Sequence, residues 1–290
     1  MPEPRAALVS TVPVPFTADG ALDDAGLQPL YRSLDAAGVD GVFTAGTTGE
    51  FTALDDAERD TVLTEALAVF GPERVYHHVH VGAASARHAE RLTARAVALG
   101  ACNLAAITPY YLPAGPQSLV EYYRWLDVVA GDARLFICLY ATRTTTTVTP
   151  AQLAEIPSVA GAEISGEPTA RVLEYVRAAL DGFAVYSGND IEFGDFVRAG
   201  GTGGVSGVSS VFPNPFVALA DALRRHDEQA AAAGQDRVKR TVEAVAGADI
   251  ALIKAGLALQ GLPAGPPRVA LDPPSPVQLD TLRAAIEELT

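Results

Sequence analysis

Leu135-Phe136-Ile137-Cys138-Leu139 is a near-continuous apolar run of the kind required for a parallel sheet covered on both faces. Other apolar or β-branched runs begin near Leu8, Val42, Val75, Leu104, Val159, Phe183 and Val205, making eight in all. They recur at intervals of about 20 to 35 residues, the length of one strand–helix unit. Helical patterns lie between them. Leu27, Leu30, Tyr31 and Leu34 fall at i, i+3, i+4 and i+7, and Leu63, Ala66, Leu67 and Phe70 repeat that spacing, so each helix buries one stripe. Gly38, Gly71-Pro72, Gly100 and Gly131 are placed to close successive helices, and Thr52 or Ser85 to cap the next start.

Eight successive βα units with no break predict an α/β fold, a (β/α)8 barrel over residues 1–212. An open doubly wound sheet would have fewer strands and a glycine-rich nucleotide turn after the first. Residues 213–290 are expected to supply the closing helix and a C-terminal helical extension. Helical patterns run over 213–233, 235–260 and 276–289, with the Pro-rich stretch 262–276 as connector.

Composition excludes several classes of function. The chain has 290 residues, 49% of them hydrophobic and 19% charged, which is a folded rather than a disordered profile. With 21 Lys+Arg against 35 Asp+Glu the net charge is −14, and no basic run follows a phosphate backbone, so nucleic acid is not an expected partner. Cys102 and Cys138 stand in separate apolar stretches without CxxC spacing, which supports neither a disulfide framework nor a cysteine zinc site and fits a reducing, cytoplasmic setting. The start, MPEPRAALVSTVPVPF, lacks a basic-then-apolar leader pattern. No apolar run reaches the roughly 18 residues of a membrane span.

In such barrels the working residues sit at the carboxyl ends of the strands. Gly46-Thr47-Thr48-Gly49-Glu50 follows the second strand; its glycines let backbone N–H groups approach an anion and its hydroxyls add hydrogen bonds, so a carboxylate is the natural occupant. An ordinary βα turn is the bland alternative. Thr108-Pro109-Tyr110-Tyr111 follows the fourth strand, and the fifth ends at Tyr140. Such tyrosines either fill the core or move protons, the latter only with a neighbouring hydroxyl or anion to orient the phenol.

VPF (14–16), GTTGEF (46–51), ITPYY (107–111), SGND (187–190) with GGVSGVSSVFP (203–213), and the tail IKAGLALQGLPAG (253–265) together resemble the dihydrodipicolinate synthase / N-acetylneuraminate lyase family of pyruvate-type class I aldolases over nearly the whole chain. The resemblance implies small 2-oxo acid substrates, no metal or other cofactor, and a homo-oligomer, tetramer or dimer. It implies that Thr47 and Thr48 hold the oxo-acid carboxylate, and that Thr47, Tyr140 and Tyr111 form a proton relay in which Tyr111 reaches the neighbouring subunit's site. Gly46, Arg143, His80 and Val205 are counted with the two threonines as substrate-facing.

Three departures stand out. Family members form a Schiff base on a lysine near the end of the sixth strand, where this chain reads Gly161-Ala162-Glu163-Ile164-Ser165. Glu163 stands in the lysine's place, and a carboxylate forms no imine. The only two lysines are Lys239, on a polar helical stretch, and Lys254, in the tail motif. The loop after the fifth strand, Tyr140-Ala141-Thr142-Arg143-Thr144, is shorter than the family pattern; Arg143 either grips a substrate carboxylate or is a solvated loop residue. On the third strand, Tyr76-His77-His78-Val79-His80-Val81-Gly82, His78 and His80 share one face and His77 the other. With the pair inward, a histidine can stand opposite Glu163 as a hydrogen-bonded acid/base pair or part of a metal site; otherwise the histidines are unrelated core or surface residues.

Three readings follow: a barrel enzyme in which Glu163 is a catalytic acid or base, together with Tyr140, Thr47 and Tyr111; a non-catalytic carboxylate-binding or regulatory barrel; and an ordinary lyase or synthase, which needs a different alignment of the sixth strand. The retained relay separates the first from the second.

Overall fold

The computed structural model describes residues 6–72, 74, 76–156 and 159–290. The start of the third apolar run at Val75, and Met1–Arg5 at the head of the segment read for a leader, lie outside the described residues. Eight strands close in sequence order into one parallel barrel: β1 Ala7–Thr11, β2 Gly41–Thr44, β3 His78–His80, β4 Asn103–Ile107, β5 Arg134–Leu139, β6 Gly161–Ile164, β7 Ala184–Ser187 and β8 Gly203–Ser206. β8 pairs with β1 through Ala7↔Gly203 to Ser10↔Ser206, which leaves no sheet edge.

The helices are α1 Asp24–Ala37, α2 Asp56–Phe70, α3 Ala86–Ala98, α4 Pro116–Ala130, α5 Ala141–Thr144, α6 Pro150–Ala154, α7 Thr169–Ala178, α8 Phe193–Arg198, α9 Pro213–Arg224, α10 Glu228–Ala244, α11 Ile250–Leu259 and α12 Pro276–Leu289. Leu27, Leu30, Tyr31 and Leu34 of α1 are all buried, as the spacing requires. Gly38 ends α1 at φ 87°, where its N–H reaches Asp35 and Leu34 carbonyls.

Two local expectations are corrected. Ser85 caps α3, accepting from the His88 N–H, but α2 is capped by Asp55 in a reciprocal box with Glu58, and Thr52 lies in the preceding short 3-10 turn. The patterns at 213–233 and 235–260 are not two continuous helices. The chain breaks after α9, where His226 takes φ 56° and Asp227 caps α10, and again at Ala246–Ala248, all at positive φ, before Asp249 caps α11. Apolar periodicity survives both breaks because the helices flanking each one still pack on the same core.

Three apolar clusters hold this arrangement. One is inside the barrel, made by Val9, Phe43, Ala105, Phe136, Tyr186 and Val205 among others. One lies between β3–β7 and the helices on that side, with Leu104, Tyr123 and Ile137. The third joins β1 and β2 to α1 and to α9–α12, so Leu8, Leu30, Phe216, Leu252 and Leu282 share one core. The carboxyl-terminal helices thereby brace the wall that carries the Gly46–Glu50 turn. Among the described residues, no helix is long and apolar enough to cross a membrane.

Candidate active site

A cavity of about 480 Å³ opens at the carboxyl ends of the strands. Strand alternation decides what faces it: Cys138 and Tyr140 on β5 and the loop after it, Glu163 and Ser165 on β6 and just beyond, and Val205 and Gly207 on β8 and just beyond. Thr11 from β1 meets the turn after β2 through a 2.7 Å hydrogen bond between its hydroxyl and that of Thr48. Thr47 lies beside it on the same wall, and both threonines line the cavity.

The turn is tightly built. A Cβ on Gly46 would come within 2.2 Å of the Phe43 ring, so only glycine lets the backbone cross that ring. Glu50 takes φ 53°, and its N–H donates to the Thr47 carbonyl at 3.0 Å. The Glu50 carboxylate turns away from solvent: Oε1 pairs with Lys254 Nζ at 2.6 Å, and Oε2 accepts from the backbone N–H groups of Arg268 and Val269 at 2.7 and 2.9 Å. Arg268 also forks onto both Glu58 oxygens at 2.7 and 2.6 Å. The segment after α11 is thus tied across the turn, and its Val269 and Leu271 line the cavity mouth.

Glu163 lies at 2% exposure, with Cys138 beside it on β5 and Tyr186 on β7. His78 points inward and its Nδ1 is hydrogen-bonded to Glu163 Oε1, a fully buried contact. The imidazole is held in place by stacking on Phe136, centroids 4.4 Å apart, and by an edge contact with Tyr186 at 5.6 Å. Glu163 Oε2 is buried without a hydrogen-bond partner.

His80 shares the inward face but does not line the cavity. It packs beneath the Phe51 ring at 4.4 Å, and its Nε2 accepts the Ile107 N–H at 3.4 Å. Burial, helped by Arg59, pushes its pKa well below the ordinary range, which keeps it neutral. His77 points outward toward Phe70, and burial pushes its pKa down to about 3. Arg143 and Tyr140 both line the mouth, with the guanidinium over the phenol ring at 5.6 Å. Tyr111 does not line it: it is 89% exposed, with φ 74°. Gly46 stands behind Thr47 against Phe43 and is not itself a lining residue.

Sequence reasoning passed over Asp190, although it lies in the quoted SGND segment. Its carboxyl lines the cavity, accepts from the Ser206 hydroxyl at 2.8 Å, and is pushed up to about 7 by burial against that hydrogen bond. Cys138 and Ser165 were also missed; both follow from counting two residues from Tyr140 and Glu163. Among the described residues, no group of three His, Cys, Asp or Glu side chains is placed to hold a metal ion.

The family model for the dihydrodipicolinate synthetase family matches residues 5–289. The chain belongs to that family. Within it, the chain is 34% identical over 228 residues to a 4-hydroxy-tetrahydrodipicolinate synthase of Stenotrophomonas maltophilia (strain K279a), covering 77% of this chain and 75% of the relative. Its fold is similar to YagE of E. coli K12, a prophage protein of the dihydrodipicolinic acid synthase family solved in complex with pyruvate, with TM-score 0.88, 25% identity and 98% of each chain covered. A catalytic lysine mutant of the Ruminococcus gnavus sialic acid aldolase superposes with TM-score 0.91 at 21% identity, covering 98% of this chain and 95% of that one.

Neither lysine of this family member lines the cavity. Lys239 is on α10 beside Asp236, and Lys254 is buried behind Glu50, its ammonium over the Phe16 ring at 4.1 Å and donating to the Pro266 carbonyl at 3.2 Å.

Proposed function

We propose that this barrel binds a small 2-oxo acid or related carboxylate and moves a proton on it without forming an imine, with Glu163 as the acid or base. The observation that carries the reading is the Glu163 carboxylate beside the cavity, clamped by His78, in a cavity that no lysine lines. Thr47 and Thr48 receive the substrate carboxylate. Glu163 Oε2, the oxygen His78 leaves free, takes a proton from the carbon next to the reacting centre, and the electron pair moves onto the adjoining carbonyl as an enolate. His78 is a positioning residue: its Nδ1 fixes the carboxylate's rotamer and occupies Oε1. Tyr140 is the phenol available to return a proton. Enolisation, dehydration and a non-covalent aldol-type step all use this set. Tyr111 completes the relay from a neighbouring subunit in an oligomer.

One observation favours a second reading, a carboxylate-binding barrel without turnover: in the single chain Tyr111 stands outside the cavity, so the relay is open. Two measurements separate the readings. Pyruvate with borohydride should leave the protein's mass unchanged; a stoichiometric reduced adduct on Lys239 or Lys254 restores ordinary aldolase chemistry. In deuterated water the wild type should exchange the hydrogens next to the carbonyl of a bound 2-oxo acid, and Glu163→Gln should abolish that exchange. No exchange with any 2-oxo acid, despite binding, supports the binder.

A further inference from the structure

This inference rests on the carboxylate-binding part of the proposed function, Thr47 and Thr48 with Glu163 in the same cavity, and ranks the ligands of that site by the atom they set against Glu163. Glu163 has more acceptor capacity than the chain satisfies. His78 serves Oε1, while Oε2 is buried with no donor, at a residue only 2% exposed. A buried carboxylate oxygen left without a donor is costly, so one beside an open cavity marks where a ligand's N–H or O–H belongs.

Asp190, Asp249 and Glu50 also line the cavity, and Arg143 is the one cationic side chain among the described lining residues, half-stacked on Tyr140 at the mouth. Glu50 is committed to Lys254, and Asp249 to the Leu252 N–H that it caps. Asp190 holds only the Ser206 hydroxyl through its side chain. Hydroxyls of Thr11, Thr47, Thr48, Tyr140 and Ser165 also line the cavity, but none of them is hydrogen-bonded to Glu163 Oε2.

A carbonyl oxygen carries only lone pairs, so a 2-oxo group set against Glu163 Oε2 brings two acceptors together. An ammonium on the same carbon supplies the missing donor and opposes the carboxylate's charge, the stronger kind of hydrogen bond. A lysine in this position would favour the carbonyl; a carboxylate reverses the preference. We propose that the preferred ligand is an α-amino acid, with its carboxylate on Thr47 and Thr48 and its ammonium on Glu163 Oε2. The α-hydroxy acid follows, and the 2-oxo acid comes last.

Calorimetric titration of the full chain with a matched series tests this: 2-aminobutyrate (both enantiomers), 2-hydroxybutyrate, 2-oxobutyrate and butyrate. One enantiomer of 2-aminobutyrate should bind about 10- to 100-fold tighter than 2-oxobutyrate, the value of one hydrogen bond to a charge. Glu163→Gln should erase that preference. The wild-type series decides the matter even if the variant fails to fold. If 2-oxobutyrate binds as tightly as either amino acid, the proposal falls and the carboxylate site stands. If none of the series binds, the carboxylate site and the proposal fall together. Preference for the amino acid without any hydrogen exchange supports the ligand class and overturns only the proton transfer.

Discussion

Replacing Lys254 by Met tests whether the tail really holds the anion turn. Lys254 Nζ and Glu50 Oε1 are 2.6 Å apart with side chains at 1% and 0% exposure, which is as dry as an ion pair can be. At an effective dielectric of about 20 their attraction is about 6 kcal/mol, most of it offset by the desolvation of two ions, to which burial adds by lowering the Lys254 pKa. The intact pair therefore contributes little net stability. Breaking it is another matter: Glu50 would keep only the Arg268 and Val269 N–H groups, and an uncompensated buried charge costs about 3–5 kcal/mol. Met keeps the stem packing over Phe16, so the loss is electrostatic. Urea unfolding of wild type, Lys254→Met, Glu50→Gln and the double variant closes a cycle, and the double variant should recover at least about 2 kcal/mol of the summed single losses. Because Glu50 follows Thr48 by two residues, Lys254→Met should also weaken carboxylate binding. A loss below about 1 kcal/mol, or additive single effects, would refute the clip.

Thr48→Val removes both a carboxylate donor and the bond to Thr11, and should weaken butyrate binding by about 1–3 kcal/mol; unchanged affinity would count against the turn as the anion site. Asp190 gives a pH signature. Its carboxyl is raised from 3.8 to about 7, so the folded chain holds a proton that the unfolded chain releases. That contribution is full below about pH 4 and is lost as pH rises through about 7, on the order of 4 kcal/mol. Unfolding free energies of the wild type should fall relative to Asp190→Asn across this range, and parallel curves would dismiss the buried proton.

The barrel was legible because its signals are local. Each apolar run and each amphipathic stripe is read within one window, and the glycines at 38, 71, 100 and 131 punctuate them. Lining residues on strands were legible wherever alternation could be counted, as from Tyr140 back to Cys138. What failed was non-local. The Glu50–Lys254–Arg268 knot joins residues more than 200 positions apart, and no periodicity signals it. The breaks after α9 and α10 hide because apolar spacing resumes in phase beyond them. His80 was read as substrate-facing, but it is covered by Phe51; Tyr111, expected to reach a neighbouring subunit's site, is exposed in the single chain.

The two oddities on β3 and β6 turn out to be one feature. A glutamate alone in the barrel interior would be a stranded charge among Phe136, Tyr186 and Cys138. A histidine alone at position 78 would leave both ring nitrogens without partners between Phe136 and Tyr186. Together each satisfies one atom of the other, and each still has one unpaired atom, His78 Nε2 and Glu163 Oε2. Only the second belongs to a cavity-lining residue. A pair kept purely for packing would gain nothing from that asymmetry, since an apolar pair of similar volume fills the space at lower cost. Glu163 lines the cavity while His78 holds one of its two carboxylate oxygens, so the pair presents a fixed carboxylate at the site.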